Sequence, residues 1–233
     1  LLILGIDDVG RGAVIGPLVI CGLVVEKDKE KLLKRIGVKD SKELTPGQRK
    51  KLAKDIERVA KDIILIKIPA CKIDRWRQLK RSLDLLEAEK MAEIIEIARA
   101  EKVYLDALTT RPKKFEKLVK SFLRNKKIKI VAENFADKKY PVVSAASILA
   151  KVERDKAIEK LKKKMNYDFG VGYPHDERTI NFLEMILKKE KRWPSFVRKT
   201  WVTSELIKKD LTQSKLIQFL KLFKVRKWRS ERK

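Results

Sequence analysis

Between residues 102 and 164 the chain alternates twice between a short branched apolar run and a longer amphipathic one: KVYLDAL, PKKFEKLVKSFLRN, KIKIVAEN, then VSAASILAKVERDKAIEKLKKK. Strand, helix, strand, helix at that spacing implies parallel strands joined by right-handed crossovers, which restricts the chain to an α/β sheet. Ahead of this unit, LLILGID and the stretch from Ala13 to Val25 read as two strands with glycines permitting a tight turn between them. IILIKIP, ended by Pro69, reads as a third. These three are expected to form an antiparallel meander, for about five strands in all. Thr45 caps a predicted helix that has Pro46 at its first position and Leu52, Ile56 and Val59 at helical spacing; another runs through SLDLLEAEKMAEIIEIARA. After GVGYPHD the remainder reads as helices separated by RWPSF and KKDLTQS, ending in the mobile basic tail KVRKWRSERK. A length of 233 residues suits one main domain with a small appendage.

Four aspartates stand at or just beyond the predicted strand ends: Asp7 and Asp8 in GIDDVGRG, Asp106 in YLDAL and Asp137 shortly after KIVAEN. In an open α/β sheet, ligands gather outside the carboxyl ends of the parallel strands, so Asp106 and Asp137 are delivered to one place and the first strand can lie beside them. Grouped carboxylates repel one another and lose hydration, so they persist where a lysine or a divalent metal compensates. Hard oxygen donors suit Mg²⁺ or Mn²⁺. Two such ions activate a water and stabilise the leaving oxygen of a phosphodiester. Taken singly, an aspartate after a strand is more often a turn or cap residue. His175 is the sole histidine, which excludes a multi-histidine metal site, and its place after Pro174 in a loop reads as an exposed bystander.

Fifty-eight basic residues against 32 acidic give a formal charge of +26, far beyond what solubility needs, and this points to nucleic acid as partner. A thermophile surface rich in both signs would leave the lysine excess unexplained. Cys21 and Cys71 provide neither a disulfide framework nor a four-ligand zinc set, and a reducing compartment fits. The longest apolar run, AVIGPLVICGLVV, is too short to cross a bilayer. With no signal-peptide pattern at its start, the protein is expected to be cytoplasmic. Composition and spacing thus reach a metal-dependent nuclease or a nucleic-acid binder, and leave both open.

The ordered motifs GIDDVGRGAVIGPLV, VKDSKELT, YLDAL, AENFADKKYPVVSAASILAKVERD and GVGYP closely resemble the type 2 ribonucleases H (ribonuclease HII), over about Leu2 to Trp201. The resemblance implies an RNase H-like fold, a mixed five-stranded sheet flanked by helices with an added helical C-terminal region. It divides the chain into a catalytic domain over residues 1–175, a helical region over 176–223 that assists substrate binding, and a basic tail over 224–233. The implied reaction is metal-dependent endonucleolytic cleavage of the RNA strand of RNA/DNA hybrids. It extends to single ribonucleotides embedded in duplex DNA, cut on their 5′ side to leave 3′-hydroxyl and 5′-phosphate ends.

By motif position, Asp7, Asp8, Asp106 and Asp137 would hold Mg²⁺ or Mn²⁺, and the Gly10-Arg11-Gly12 turn would bring backbone groups close to the ribose 2′-hydroxyl. Tyr173 would pack against the sugar at the RNA-to-DNA junction and Lys42 would sit near the substrate backbone. The family also suggests a monomer.

Three departures stand out. The family's usual glutamate is Asp8 here, one methylene or about 1.5 Å shorter. AENFAD places Asn134 and Phe135 where histidine and lysine are common, and Val171 replaces a serine in GVGYP. The first departure leaves an alternative function, a nucleic-acid-binding protein with a weakened catalytic site. A third reading is a nuclease acting on hybrids but indifferent to single ribonucleotides. Near the end, QSKLIQFL sets Gln213, Leu216 and Phe219 as in peptides that dock on the replication sliding clamp, with Leu220 where a second aromatic is usual. An ordinary amphipathic helix has the slight edge there, because the motif is short and incomplete.

Overall fold

The computed structural model describes residues 1–38, 44–107 and 109–213. β1 (Leu2–Val9) pairs antiparallel with β2 (Leu18–Glu26), and β2 pairs antiparallel with β3 (Asp62–Ile68), as the meander reading expects. The short helix α1 (Glu30–Arg35), then α2 (Pro46–Val59), fall between β2 and β3. Next come α3 (Ala70–Gln78) and α4 (Leu83–Ala98), with Ser82 capping the latter by accepting from the Leu85 amide. β4 (Lys102–Asp106), α5 (Pro112–Ser121) and β5 (Lys129–Glu133) complete a sheet of order β3-β2-β1-β4-β5, in which β1, β4 and β5 run parallel. After β5 come α6 (Ala136–Lys139), the long α7 (Pro141–Met165) and α8 (Glu177–Glu190), and a last helix begins at residue 202 and is described to 213.

The predicted α2 start is a full capping box. Thr45 accepts from the Gln48 amide and Gln48 accepts from the Thr45 amide, an arrangement worth about 1 kcal/mol. Side-chain alternation along the strands divides the core between two layers. Leu4 and Ile6 of β1 face α4 together with Val103 and Leu105 of β4. Ile3 and Tyr104 face α2 and α7 on the other side. α7 approaches β1 so closely that a β-carbon on Gly5 would lie 2.4 Å from the Val142 carbonyl carbon. A third cluster joins Val14 and Ile15 to Phe169, Phe182 and Val197, fastening the C-terminal helices to the segment after β1.

The structure corrects two boundaries. β2 begins at Leu18 and not at Ala13, because Val14 and Ile15 both donate to the Gly172 carbonyl (2.9 and 3.0 Å) and Gly16 donates to the Phe196 carbonyl (2.9 Å). The predicted break at KKDLTQS is absent up to residue 213. Ile207 and Leu211 pack on the third cluster while the Thr212 hydroxyl returns to the Lys208 carbonyl (2.8 Å), so the polar residues are the outer face of a helix. Lys42, Leu216, Phe219 and Leu220 lie outside the described residues. No helix among the described residues is long and apolar enough to cross a membrane.

Candidate active site

The parallel register of β1 and β4 ends with Ile6 opposite Leu105, so the next residue on each strand is an acid, Asp7 beside Asp106. Both belong to the α7 side of the sheet, whereas alternation sends Asp8 toward the α4 side. At the strand end both directions open onto one cavity of about 610 Å³, lined by Asp7, Asp8, Asp106 and Asp137 together with the 10–12 loop, Tyr173 and His175. Asp137 arrives there because Phe135 takes the left-handed conformation (φ 58) and turns the chain into α6, and the Asp106 carboxylate accepts from the Ala136 amide at 2.8 Å.

All four carboxylates are buried. Asp7 accepts from the Asp8 amide at 2.8 Å and from the Ser147 hydroxyl, yet burial, then the charges of Asp8 and Asp106, hold its acid well above the usual carboxylate range. Burial likewise pushes Asp8 up to about 6, opposed by Arg11. The buried Asp8 Oδ1 has no hydrogen-bond partner among the described residues. Hard oxygen donors, mutual repulsion and an orphaned carboxylate oxygen fit a divalent cation. No three acidic, histidine or cysteine side chains close into a ready-made cage among the described residues. Ions such as Mg²⁺ usually take one or two carboxylates and complete their shells with water and phosphate.

The loop after β1 is fixed from three directions. Gly10 adopts φ 97, where a β-carbon would also meet the Pro17 carbonyl at 2.7 Å. Gly12 differs, since nothing in the protein lies within 4 Å of a β-carbon placed there. The Arg11 side chain turns away to pair with Asp84 and the buried Glu87 on α4, which leaves the loop's backbone to face the cavity. From the C-terminal region, Arg198 donates to the carbonyls of Gly10 (2.7 Å) and Arg11 (2.8 Å). Arg49 and Lys151 also line the cavity, both ion-paired with Asp155 at 3.2 and 3.1 Å.

Of the residues singled out in the sequence, Asp7, Asp8, Gly10, Arg11, Gly12, Asp106, Asp137 and Tyr173 share this cavity. Gln213 is in the last described turn of the final helix. His175 is exposed as expected, but it is no bystander in position: it lines the cavity and stacks on Tyr173 with centroids 5.5 Å apart. Sequence reasoning missed Arg49, Ser147, Lys151, Arg154 and Arg198. Four of these lie on helix faces whose direction only the packed structure fixes. The spacing of Asp84 and Glu87 on one face of α4 was the readable signal for an anchor of Arg11.

A mixed five-stranded sheet of this order, covered by helices, with acids gathered at the ends of its central strands, is an RNase H-like fold of the kind that carries phosphodiester hydrolases. The family model described as Ribonuclease HII matches residues 4–204. The ribonuclease HII of Methanocaldococcus jannaschii is 42% identical over 236 residues, covering 93% of this chain and 99% of that protein. Among solved structures, the ribonuclease H2 of Pyrococcus horikoshii superimposes with a TM-score of 0.83 at 42% identity, covering 90% of this chain and 98% of that one. The Archaeoglobus fulgidus RNase HII, solved in complex with PCNA, gives 0.79 at 38% identity, covering 86% and 95%. The chain belongs to the ribonuclease HII family, and is thereby a hydrolase acting on phosphodiester bonds, an endoribonuclease.

Proposed function

We propose that this chain is a metal-dependent endoribonuclease that cuts the RNA strand of RNA/DNA hybrids and also single ribonucleotides embedded in duplex DNA. Cleavage falls on the 5′ side of the ribonucleotide and leaves 3′-hydroxyl and 5′-phosphate ends. Asp7, Asp8, Asp106 and Asp137 would hold Mg²⁺ or Mn²⁺, which when bound supply an activated water and stabilise the leaving oxygen. The chain's own groups do the rest. The Asp8 amide and the Ser147 hydroxyl orient Asp7. The backbone of Gly10, Arg11 and Gly12 meets the ribose 2′-hydroxyl, the group that separates RNA from DNA. Tyr173 packs against the sugar at the junction, and Lys42 attracts the backbone phosphate. The chain acts as a monomer in the cytoplasm, a setting that fits its two free cysteines.

The observation that supports this most is the cavity shared by the four acids, the 10–12 loop and Tyr173 on a chain of charge +26. The test offers the protein a DNA duplex containing one ribonucleotide and a full RNA/DNA hybrid, each with Mg²⁺ or Mn²⁺. Junction cleavage is expected; hybrid-only cleavage removes the single-ribonucleotide activity. Asp7→Asn or Asp106→Asn should lower turnover at least about a hundredfold while hybrid binding survives, and unaffected turnover removes those residues from the site.

One observation favours a second reading, a nucleic-acid binder with a weakened site: no closed cage of acids forms among the described residues. Binding without products from either substrate selects it. The C-terminal segment beginning at Gln213 would dock on a sliding clamp, a proposal supported by the PCNA complex of the Archaeoglobus relative. A clamp pull-down comparing the full chain with one truncated before Thr212 tests it, and equal capture excludes the segment.

A further inference from the structure

Two guanidinium groups, Arg154 on α7 and Arg198 beyond α8, are fully buried within a few ångströms of the candidate site. Buried charges ordinarily have a carboxylate partner. Here every hydrogen-bond acceptor of the pair among the described residues is a backbone carbonyl. Arg198 binds those of Gly10, Arg11 and Gly16, and Arg154 binds those of Val171 (3.0 Å) and Ile15 (3.5 Å). Two Arg154 nitrogens, Nε and Nη1, have no hydrogen-bond acceptor among the described residues. Burial and the neighbouring positive charge of Arg154 push the Arg198 guanidinium down to about 9, which still leaves it charged at neutral pH. An arrangement this costly is not explained by stability, since apolar side chains of similar volume would pack without desolvating a charge.

What the pair touches supplies the explanation. The Arg154 guanidinium lies over the Tyr173 ring at 4.5 Å, a cation–π contact, and its Nε would be 2.7 Å from a β-carbon on Gly10. Arg154 is therefore wedged between the ring and the loop. Arg198 holds that same loop by the carbonyls of Gly10 and Arg11. Backbone bonds from Val14 and Ile15 to Gly172 close the connection between the two segments.

We propose that Arg154 and Arg198 are positioning residues: Arg198 fixes the 10–12 loop, and Arg154 seats the Tyr173 ring at a set distance from it, so the two sugar-facing parts act as one rigid gauge. The proposal rests on the ribonucleotide-reading roles given to Gly10, Gly12 and Tyr173 above. It predicts a division of labour. The loop serves every substrate, so Arg198→Lys lowers kcat on hybrid and junction alike. The ring serves the junction, so Arg154→Lys lowers the preference for a single ribonucleotide over a uniform hybrid.

The test measures kcat/KM on both substrates for the wild-type chain, Arg154→Lys, Tyr173→Leu and the double variant, with melting temperatures alongside. Arg154→Lys is expected to reduce the junction-to-hybrid ratio at least about tenfold, and to change it less than about twofold once Tyr173 is leucine. Equal losses on both substrates, or a ratio loss that multiplies in the double variant, overturn the positioning role and leave a structural one. If Arg154→Lys melts too low to assay, Tyr173→Phe should keep the ratio and Tyr173→Leu lose it; equal behaviour of the two overturns the stacked seat. For Arg198→Lys, an unchanged kcat on both substrates refutes its half of the pair. A wild-type chain that cuts hybrids but ignores junctions defeats the ribonucleotide reading itself, a result separable from any variant's behaviour.

Discussion

At the level of single residues, Gly10 and Gly12 look equivalent in the sequence and differ in the structure. Gly10 is required by its own backbone angle and by its neighbours, whereas a methyl group at Gly12 would meet no protein atom. Gly12→Ala should therefore leave the melting temperature unchanged and lower cleavage at least about tenfold, because only an approaching ribose would meet the added carbon. A drop in stability without a drop in rate would remove Gly12 from the substrate's path.

Asp8 invites the opposite change. Lengthening it to glutamate restores reach toward Asp7 and Asp106, so Asp8→Glu should retain or raise the rate, and complete loss would refute its assigned role. Its proton affinity also sets a pH dependence. In the unfolded chain the carboxyl ionises near 3.8, and in the folded metal-free chain at about 6. Below the first value both forms are protonated and the group contributes nothing. Between the two, the folded state alone holds the proton, so stability falls as pH rises, with the full penalty present above about 6. A divalent cation bound at Asp8, as proposed, would relieve that penalty, and the melting-temperature gain from Mg²⁺ should then grow from about pH 4 to about pH 7. Asp7, Asp8 and Asp106 were legible in the sequence as strand-end residues, and Asp137 as an acid shortly beyond one. Which side of the sheet the first three face was not, because a shift of one residue in register reverses it.

At the level of elements, strands and most helices could be read from spacing, since β-branched runs and caps are local signals. The meander, the Thr45 cap of α2 and the parallel β4 and β5 all appear where expected. The start of β2 did not, since residues 13–17 obey partners more than a hundred positions away, at Gly172 and Phe196. Gly5 shows the same dependence on distant contacts. It reads as an ordinary strand residue and is in fact where α7 rests on β1. Gly5→Ala would force the added carbon into the Val142 backbone, which cannot rotate aside, and should cost about 3 kcal/mol, visible as a shifted denaturation midpoint with an unchanged slope. Retained stability would mean that α7 can slide, and with it Ser147 and Arg154.

Across the whole molecule, the charge of +26 is the property most openly written in the sequence and the one that sets long-range attraction to nucleic acid. Hybrid affinity should fall steeply with salt. Engagement of six to ten phosphates would reduce it about 10³- to 10⁵-fold between about 50 and 200 mM, measurable by fluorescence anisotropy on a hybrid duplex with Asp7→Asn to prevent cutting. A shallow slope would mean that most lysines merely solvate the surface. The joining of the first and last parts of the chain was hidden, because it relies on buried arginines bonded to backbone, for which no sequence pattern exists. That joining has a consequence for biosynthesis. On a ribosome all four acids emerge before Arg198, so a nascent chain that stops short of it carries the proposed metal ligands but lacks the residue proposed to seat the 10–12 loop.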